Sequence, residues 1–251
     1  MSAGGTRRHG ARSRARRPHV AIVVLARHPI VGRVKTRLAA TIGAPASCAL
    51  YRGFVRDLAA RLARMDVSVW WAFTPASAPF ARLVGSRRCF AQRGADLGLR
   101  IHHALCTVYR ASGGPVLALG ADMPHVPRRE LERAGRALAD EADVVLGPAA
   151  DGGYYLIGVR APQPALFVDI AWGTAGVAAA TRRRCRALGL SLVELAAGFD
   201  VDGVGELAAL ARIVRRRPRE YRHTAAALRR LIRRGGSLPL AVSPSSGCAR
   251  R

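Results

Sequence analysis

Lysine is almost absent from this sequence, and acidic residues are scarce. The 251 residues include 16 Asp and Glu against 41 Lys and Arg, which gives a formal net charge of +25. Most of the excess lies at the two ends, because residues 1–19 contribute +6 and residues 213–251 contribute +10, which leaves +9 for residues 20–212. A moderately basic central segment suits anionic, phosphorylated substrates.

Aromatic side chains are not interleaved with the arginines of the two ends. A surface that binds single-stranded nucleic acid combines basic residues with aromatic residues on which the bases stack. We therefore expect residues 1–19 to be a solvated, poorly ordered tail, and residues 214–251 to form a basic helix followed by a Gly/Ser/Pro-rich tail. A noncatalytic protein that binds nucleic acid through its Arg-rich ends is the remote alternative.

A long apolar run is also missing. No run approaches the roughly 18 to 20 residues that span a bilayer. The basic tail followed by apolar residues 20–26 resembles a secretory signal, but the run is short and no small-residue cleavage site follows it. These residues are therefore predicted to form a strand.

The five cysteines are odd in number, widely spaced and never in a C-x-x-C pattern. This usage favours a reducing compartment, and we expect the cytoplasm. The histidines show no H-x-x-H or H-E-x-x-H spacing, which argues against a zinc site. The sequence also lacks a G-x-x-x-x-G-K-S/T motif, which argues against a P-loop kinase.

The segment that stands out is residues 20–38, in which a strand, a basic loop and a helix start follow one another. The basic loop, residues 27–37, carries Arg27, Arg33, Lys35 and Arg37 around Gly32. This order is typical of phosphate-binding sites. Lys35 is the only lysine of the chain, and a loop lysine binds phosphate as a compact point charge, so we favour a functional role over compositional drift.

Apolar, strand-like runs alternate with helical stretches along residues 20–213. Strands are predicted near residues 20–26, 67–73, 116–120, 143–148, 154–159 and 192–195, with a short edge strand at residues 89–92. This alternation predicts βαβ units, and therefore a single α/β domain with a mostly parallel sheet that is covered on both faces. Ligands bind at the carboxyl ends of the strands in such sheets.

Three aspartates fall at such strand ends. Asp122 follows the strand at residues 116–120, and because Pro127 starts the next helix several residues later, we favour a metal ligand over a helix cap. Asp200 and Asp202 alternate on an extended segment, which would place both on one side, although one of them could instead cap the helix near Gly203.

Other polar clusters have an ordinary structural interpretation beside a functional one. The turn at Asp151, Gly152 and Gly153 could let the backbone approach a ligand, with Tyr154 stacking on a sugar or base. Further along, Trp172 could simply pack and Thr174 could cap a helix. The pair Asp96 and Arg100 could lie on the surface.

Taken together, six segments resemble the DUF2064 family, whose members are described as glycosyltransferases of the GT-A, or nucleotide-diphospho-sugar transferase, superfamily. In chain order the segments are ARHPIVGRVKTRLA, GADLGLR, LALGADMP, VVLGPAADGGYYLIGV, LFVDIAWGT and DVDGVGEL. The resemblance covers about residues 20–213 and implies a Rossmann-like GT-A fold.

The resemblance also implies roles for individual residues. Lys35, Arg37 and Asp122 would be catalytic, and Asp122 and Asp202 would hold Mg²⁺ or Mn²⁺. The nucleotide would bind at Leu25, Ala26, Arg27, Gly32, Lys35, Arg37, Asp96 and Arg100. The acceptor or sugar pocket would be formed by Asp151, Gly152, Gly153, Tyr154, Trp172 and Thr174.

The expected activity is metal-dependent transfer from a nucleotide-diphospho-sugar donor to a small-molecule acceptor. The alternative is a nucleotidyltransferase that moves a guanylyl or cytidylyl group from a nucleoside triphosphate to a phosphorylated acceptor and releases pyrophosphate. One segment departs from the family's usual D-V-D-T-x-x-D-L pattern, because Gly203 replaces Thr and Glu206 replaces Asp. The cap of the following helix is therefore in question.

Overall fold

A computed structural model describes residues 20–233, and the predictions for residues 1–19 and 234–251 lie outside this part of the chain. Within it, seven strands form one sheet in the order β3-β2-β1-β4-β6-β5-β7. The strands are β1 (Ala21–Arg27), β2 (Ser68–Thr74), β3 (Cys89–Ala91), β4 (Val116–Gly120), β5 (Val144–Pro148), β6 (Tyr154–Val159) and β7 (Leu192–Glu194). The helices are α1 (Thr36–Ile42), α2 (Ala44–Leu62), α3 (Phe80–Val84), α4 (Leu97–Ser112), α5 (Arg128–Asp140), α6 (Val177–Ala187), α7 (Val204–Arg216) and α8 (Arg222–Arg233), with a 3₁₀ turn at Pro164–Phe167.

The prediction of a mostly parallel sheet is confirmed. Strand β1 pairs in parallel with β2 and β4, and β7 pairs in parallel with β5, whereas β6 runs antiparallel between β4 and β5. The exception has a simple cause, because only residues 149–153 connect β5 to β6. Parallel neighbours need a crossover of a dozen or more residues, so this short connection forces a hairpin.

Helices cover both faces of the sheet, as predicted. Alternate residues of β1 enter different cores: Ile22 and Val24 pack with α2, α5 and α7, while Ala21 and Val23 pack with α4 and α6. Burial on both faces explains why the sequence of β1 is an unbroken apolar run and not an alternating one.

The central pair of strands places two loops side by side. In the register of β1 and β4, Leu25 lies opposite Gly120. The basic loop therefore leaves the sheet next to residues 121–127, which we call the aspartate loop because it contains Asp122.

Helix α8 packs against α2 through a close contact and a buried cap. Gly53 of α2 leaves room for the backbone of Thr224, which a side chain at residue 53 would contact at 3.0 Å. The fully buried Asp57 carboxylate accepts hydrogen bonds from the backbone N–H groups of His223 at 3.0 Å and Thr224 at 2.8 Å. These are first-turn amides that have no partner within the helix.

We expect Asp57→Ala to lower the free energy of unfolding by about 2 to 4 kcal/mol, because two buried N–H groups lose a charged acceptor. Chemical denaturation measures this loss. The matched control is Asp66→Ala, which removes an exposed carboxylate of the same chain. Equal stability losses in the two variants would contradict the assignment of Asp57 as the cap of α8.

None of the helices in residues 20–233 is long and apolar enough to cross a membrane.

Candidate active site

A cleft of about 430 Å³ opens at the carboxyl ends of β1 and β4. It is bounded by the basic loop, the aspartate loop, the start of α4 and the segment at residues 200–202. Eleven residues singled out from the sequence line it: Leu25, Ala26, Arg27, Arg33, Lys35, Arg37, Arg100, Asp122, Tyr154, Asp200 and Asp202. The fold thus brings together groups that are up to about 180 residues apart in the chain.

Lys35 is the centre of the polar end of this cleft. Its ammonium forms salt bridges with the carboxylates of Asp122 and Asp202, the latter at 2.7 Å, and the side chain is only 4% exposed. Burial alone would lower the pKa of Lys35, but the two carboxylates outweigh it and raise the pKa. The lysine is therefore a permanent cation at neutral pH.

The backbone of Lys35 aims the side chain at these carboxylates. Lys35 has a positive φ of 49° at the start of α1, which is uncommon for a residue with a Cβ. Its carbonyl oxygen accepts hydrogen bonds from the Ser47 hydroxyl at 2.9 Å and from the backbone N–H of Ala39 at 2.8 Å. These bonds from α1 and α2 hold the loop at its junction with the helix.

Asp122 and residues 200–202 are tied together through the backbone. The carbonyl of Asp122 accepts a hydrogen bond from the N–H of Val201 at 3.1 Å. Val201 is fully buried, whereas Asp200 and Asp202 both line the cleft, as the alternation of an extended segment predicts. Three carboxylates thus face the same end of the cleft.

Asp200 carries the third carboxylate at this end of the cleft. Its Oδ1 is buried and has no hydrogen-bond partner. Burial, followed by the charge of Asp122, raises the pKa of Asp200 to about 7. A buried carboxylate oxygen without a partner is a group that a bound cation or a ligand N–H would satisfy.

The donor set at this end suits a small hard cation that arrives with its substrate. Within residues 20–233, no three His, Cys, Asp or Glu side chains are already grouped as a metal cage. Mg²⁺ is usually held by one or two carboxylates together with substrate phosphates, and Asp122 and Asp202 already converge on one cationic group. The residues present therefore fit a divalent cation shared with a phosphate ligand.

Three more cations of the basic loop line the cleft beside Lys35. They are Arg27, Arg33 and Arg37, all of them exposed. Gly32 has a positive φ of 76° and shapes the loop, but it lies outside the lining.

Tyr51 and Gln92 also line the cleft, and sequence reasoning missed both. The Tyr51 hydroxyl accepts a hydrogen bond from the backbone N–H of Arg27 at 3.0 Å, and its ring lies 5.9 Å from the Lys35 ammonium. Burial raises the pKa of Tyr51, so the hydroxyl keeps its proton. Tyr51 lies within α2, and nothing in the sequence around it indicates that it reaches the cleft.

The amide orientation of Gln92 is fixed by its neighbours. Its Nε2 donates to the carbonyls of Ala26 at 3.2 Å and Ala72 at 2.9 Å. Only the NH₂ group can bond two carbonyls, so Oε1 is left as the acceptor of this cleft-lining side chain. Leu97 and Ile101 line the cleft beside it.

The turn before β6 is built by local contacts. The Asp151 carboxylate accepts from the N–H of Gly153 at 2.9 Å, and Gly152, with a φ of 86°, packs against the carbonyl of Ala175. Asp151, Gly152 and Gly153 lie outside the lining of the cleft, which Tyr154 reaches. Their predicted role in substrate binding stays a prediction.

Trp172 and Thr174 also lie outside the lining. The Trp172 ring packs over Gly98, where a Cβ would collide with it, and edge-to-face against Tyr154 with 6.3 Å between ring centroids. The Thr174 hydroxyl donates to the carbonyl of Ala171 at 2.8 Å. Trp172 thus supports both Tyr154 and the start of α4, which are walls of the cleft.

Two helix starts at the cleft have side-chain caps. Asp96 caps α4 by accepting from the N–H of Leu99 at 2.8 Å, while Arg100 donates to the carbonyl of Gly94 at 3.0 Å and lines the cleft. At α7, the Glu206 carboxylate accepts from the N–H of Gly203 at 2.9 Å. Glu206 thus closes this helix start although Gly203 has no side chain to cap it.

Comparison with known proteins identifies relatives of this chain. The sequence profile of the family described as uncharacterized proteins conserved in bacteria, DUF2064, matches residues 55–174. A protein of Desulfovibrio desulfuricans G20, provisionally assigned as a nucleotide-diphospho-sugar transferase, is 34% identical with a TM-score of 0.78, over 86% of this chain and 97% of that one. None of the curated proteins matches the sequence.

More distant structures share the fold. The structure of CMP-2-keto-3-deoxy-manno-octonic acid synthetase with CTP has a TM-score of 0.50 at 16% identity, over 79% of this chain and 99% of that one. A cytidylyltransferase from Leptospira borgpetersenii serovar Hardjo-bovis has a TM-score of 0.51 at 12% identity, over 89% and 98% of the two chains. At such identities the similarity establishes the fold alone.

Proposed function

The chain belongs to the DUF2064 family, and from this membership and the chemistry of the cleft we propose that it is a transferase that uses a nucleotide-diphospho-sugar donor. The observation that carries the proposal is the convergence of Lys35, Asp122 and Asp202 at one end of the cleft. A lysine and a pair of carboxylates together can neutralise a diphosphate, directly and through a cation.

In this proposal the basic loop binds the diphosphate. Lys35, Arg33 and Arg37 offset the negative charge that grows on the phosphate oxygens when the bond to the sugar breaks. The acceptor hydroxyl forms the new bond at the anomeric carbon, its proton passes to a base, and the nucleoside diphosphate leaves. Lys35 then has to move part of its contact from the carboxylates to the phosphate.

We propose that Asp122 and Asp202 hold Mg²⁺ or Mn²⁺ with the diphosphate. Bound there, the cation would supply charge stabilisation for the leaving phosphate. The protein's own contribution is the backbone bond between Asp122 and Val201, which keeps the two carboxylates on the same side of the cleft.

The nucleobase of the donor is proposed to bind at the apolar end of the cleft, between β1 and α4. Leu97 and Ile101 offer apolar surface to a base, and the free Oε1 of Gln92 accepts a hydrogen bond from a base N–H. Arg100 supplies a cation at the same wall.

A nucleoside triphosphate is the second candidate donor. The basic loop presents four cations to the cleft, which suits the charge of a triphosphate as well as that of a diphosphate. In that reaction a phosphorylated acceptor attacks the α-phosphate, the α–β bridging bond breaks, and pyrophosphate leaves.

Product analysis separates the two reactions. The full-length protein is incubated with Mn²⁺ and either a panel of nucleotide sugars or a panel of nucleoside triphosphates with phosphorylated acceptors. Release of a nucleoside diphosphate from a sugar nucleotide supports the leading proposal. Release of pyrophosphate supports the second. If neither product is released and thermal melting shows no nucleotide binding, both proposals are wrong.

A further inference from the structure

The side chain of Arg61, in the last turn of α2, ends on the aspartate loop. One Nη donates to the carbonyl of Pro124 and the other to the carbonyl of Val126 at 2.6 Å. The Nε donates to Glu220 at 2.7 Å. With a side chain only 12% exposed, Arg61 uses all three nitrogens in contacts with two other segments.

The loop that Arg61 holds is continuous with the candidate active site. Pro124 is two residues from Asp122, whose carbonyl accepts the N–H of Val201. On the same loop, the ring of His125 packs against Phe199 with 4.1 Å between centroids. A displacement of this loop would therefore change the position of Asp122 relative to Asp202.

We propose that Arg61 is a positioning residue for the candidate active site. By fixing the carbonyls of Pro124 and Val126, it sets the position of the Asp122 carboxylate, which together with Asp202 would hold the cation. The part of this inference that concerns catalysis rests on the proposed function, whereas the part that concerns loop order does not.

The geometry requires arginine specifically. A guanidinium presents several N–H donors in a rigid, planar fork, so it can bond two carbonyls and a carboxylate at once. The single nitrogen of a lysine keeps the charge but cannot hold the same three acceptors in this arrangement. Arg61→Lys therefore separates positive charge from fork geometry.

A purely structural role is the competing explanation. Arg61 also joins α2 to the turn before α8, through Glu220 and through the Tyr221 ring, which lies 5.2 Å from the guanidinium carbon. The matched control is Glu220→Ala, which removes the salt bridge between Arg61 and Glu220 and leaves the hydrogen bonds of Arg61 to both carbonyls in place. Both variants should melt at lower temperature than the wild type.

Hydrogen exchange of the full-length protein tests the loop without any substrate. We expect faster exchange in residues 121–127 and 199–202 for Arg61→Lys and wild-type exchange there for Glu220→Ala. Unchanged protection of these residues in Arg61→Lys would overturn the proposal. This result stands whether or not the protein is a transferase.

Kinetics test the consequence for the reaction. We expect Arg61→Lys to lower kcat about 10- to 100-fold and to raise the Mn²⁺ concentration for half-maximal rate, with little change in the KM for the donor, as for other outer-shell positioning groups. Glu220→Ala should keep kcat within about threefold of the wild type. Parallel losses of kcat and melting temperature in both variants would assign Arg61 to folding stability alone, while absence of turnover in the wild type would count against the proposed function only.

Discussion

Lys35→Met is expected to bind Mn²⁺ more tightly than the wild-type protein in the absence of nucleotide. In the wild type the Lys35 ammonium lies on the two carboxylates that would hold the cation, Asp122 and Asp202. A divalent cation must therefore displace a buried ammonium before it can bind both of them. Because methionine fills a similar volume without competing, we expect the dissociation constant for Mn²⁺ to fall by about tenfold or more, which corresponds to at least about 1.4 kcal/mol.

The same substitution should weaken the binding of nucleotide. With Mn²⁺ present, the diphosphate loses a direct cationic contact, and hydrogen bonds to charged groups typically contribute about 1.5 to 3 kcal/mol. The affinity for the nucleotide is therefore expected to fall at least about tenfold. Opposite changes for the metal and for the nucleotide are difficult to produce by a general loss of structure.

Arg37→Met provides the matched comparison for Lys35→Met. Arg37 lines the same cleft, but it makes no salt bridge with Asp122 or Asp202. This variant should weaken nucleotide binding without any gain in Mn²⁺ affinity. Titration of free Mn²⁺ by electron paramagnetic resonance gives the metal constants, and calorimetry gives the nucleotide constants. If Lys35→Met binds Mn²⁺ no more tightly than the wild type, the ammonium and the cation do not share a site.

The strands could be predicted from the sequence because each is a short apolar run with polar or Gly/Pro boundaries. The run at residues 116–120 corresponds to β4 residue for residue. The direction of β6 was missed although the short connection at residues 149–153 already indicates a hairpin, whereas the insertion of β6 between β4 and β5 depends on the tertiary fold. The 3₁₀ turn at Pro164–Phe167 was also missed, since four residues carry no detectable period.

The sequence predicts that the residues of the candidate site lie at the same edge of the sheet. It does not predict the contacts that their side chains make there. Asp122 and Lys35 both follow apolar strands, which places them at the same edge of a parallel sheet. That Lys35 binds the carboxylates depends on its positive φ, which no residue pattern around it indicates. The contact between Trp172 and Gly98 joins segments more than 70 residues apart, and only the tertiary fold creates it.

Asp122→Asn is expected to reduce kcat by about a thousandfold or more while leaving the fold intact. The amide has nearly the same shape as the carboxylate, but it has lost the charge that would hold the divalent cation and balance Lys35. Removal of one well-placed electrostatic group from a reacting site typically costs about 10²- to 10³-fold in rate, and a lost metal ligand adds to this. Lys35 keeps its salt bridge with Asp202, so the buried ammonium stays paired.

The control for Asp122→Asn is the same change at Asp143, whose carboxylate accepts hydrogen bonds from Ser191 next to β5. Asp143→Asn should keep the wild-type kcat and the wild-type Mn²⁺ dependence, whereas Asp122→Asn should need far more Mn²⁺ for any residual rate. Initial rates over a range of Mn²⁺ concentrations measure both quantities. If Asp122→Asn retains most of its kcat at the wild-type Mn²⁺ concentration, Asp122 does not bind the cation, and its salt bridge with Lys35 serves only to order the basic loop.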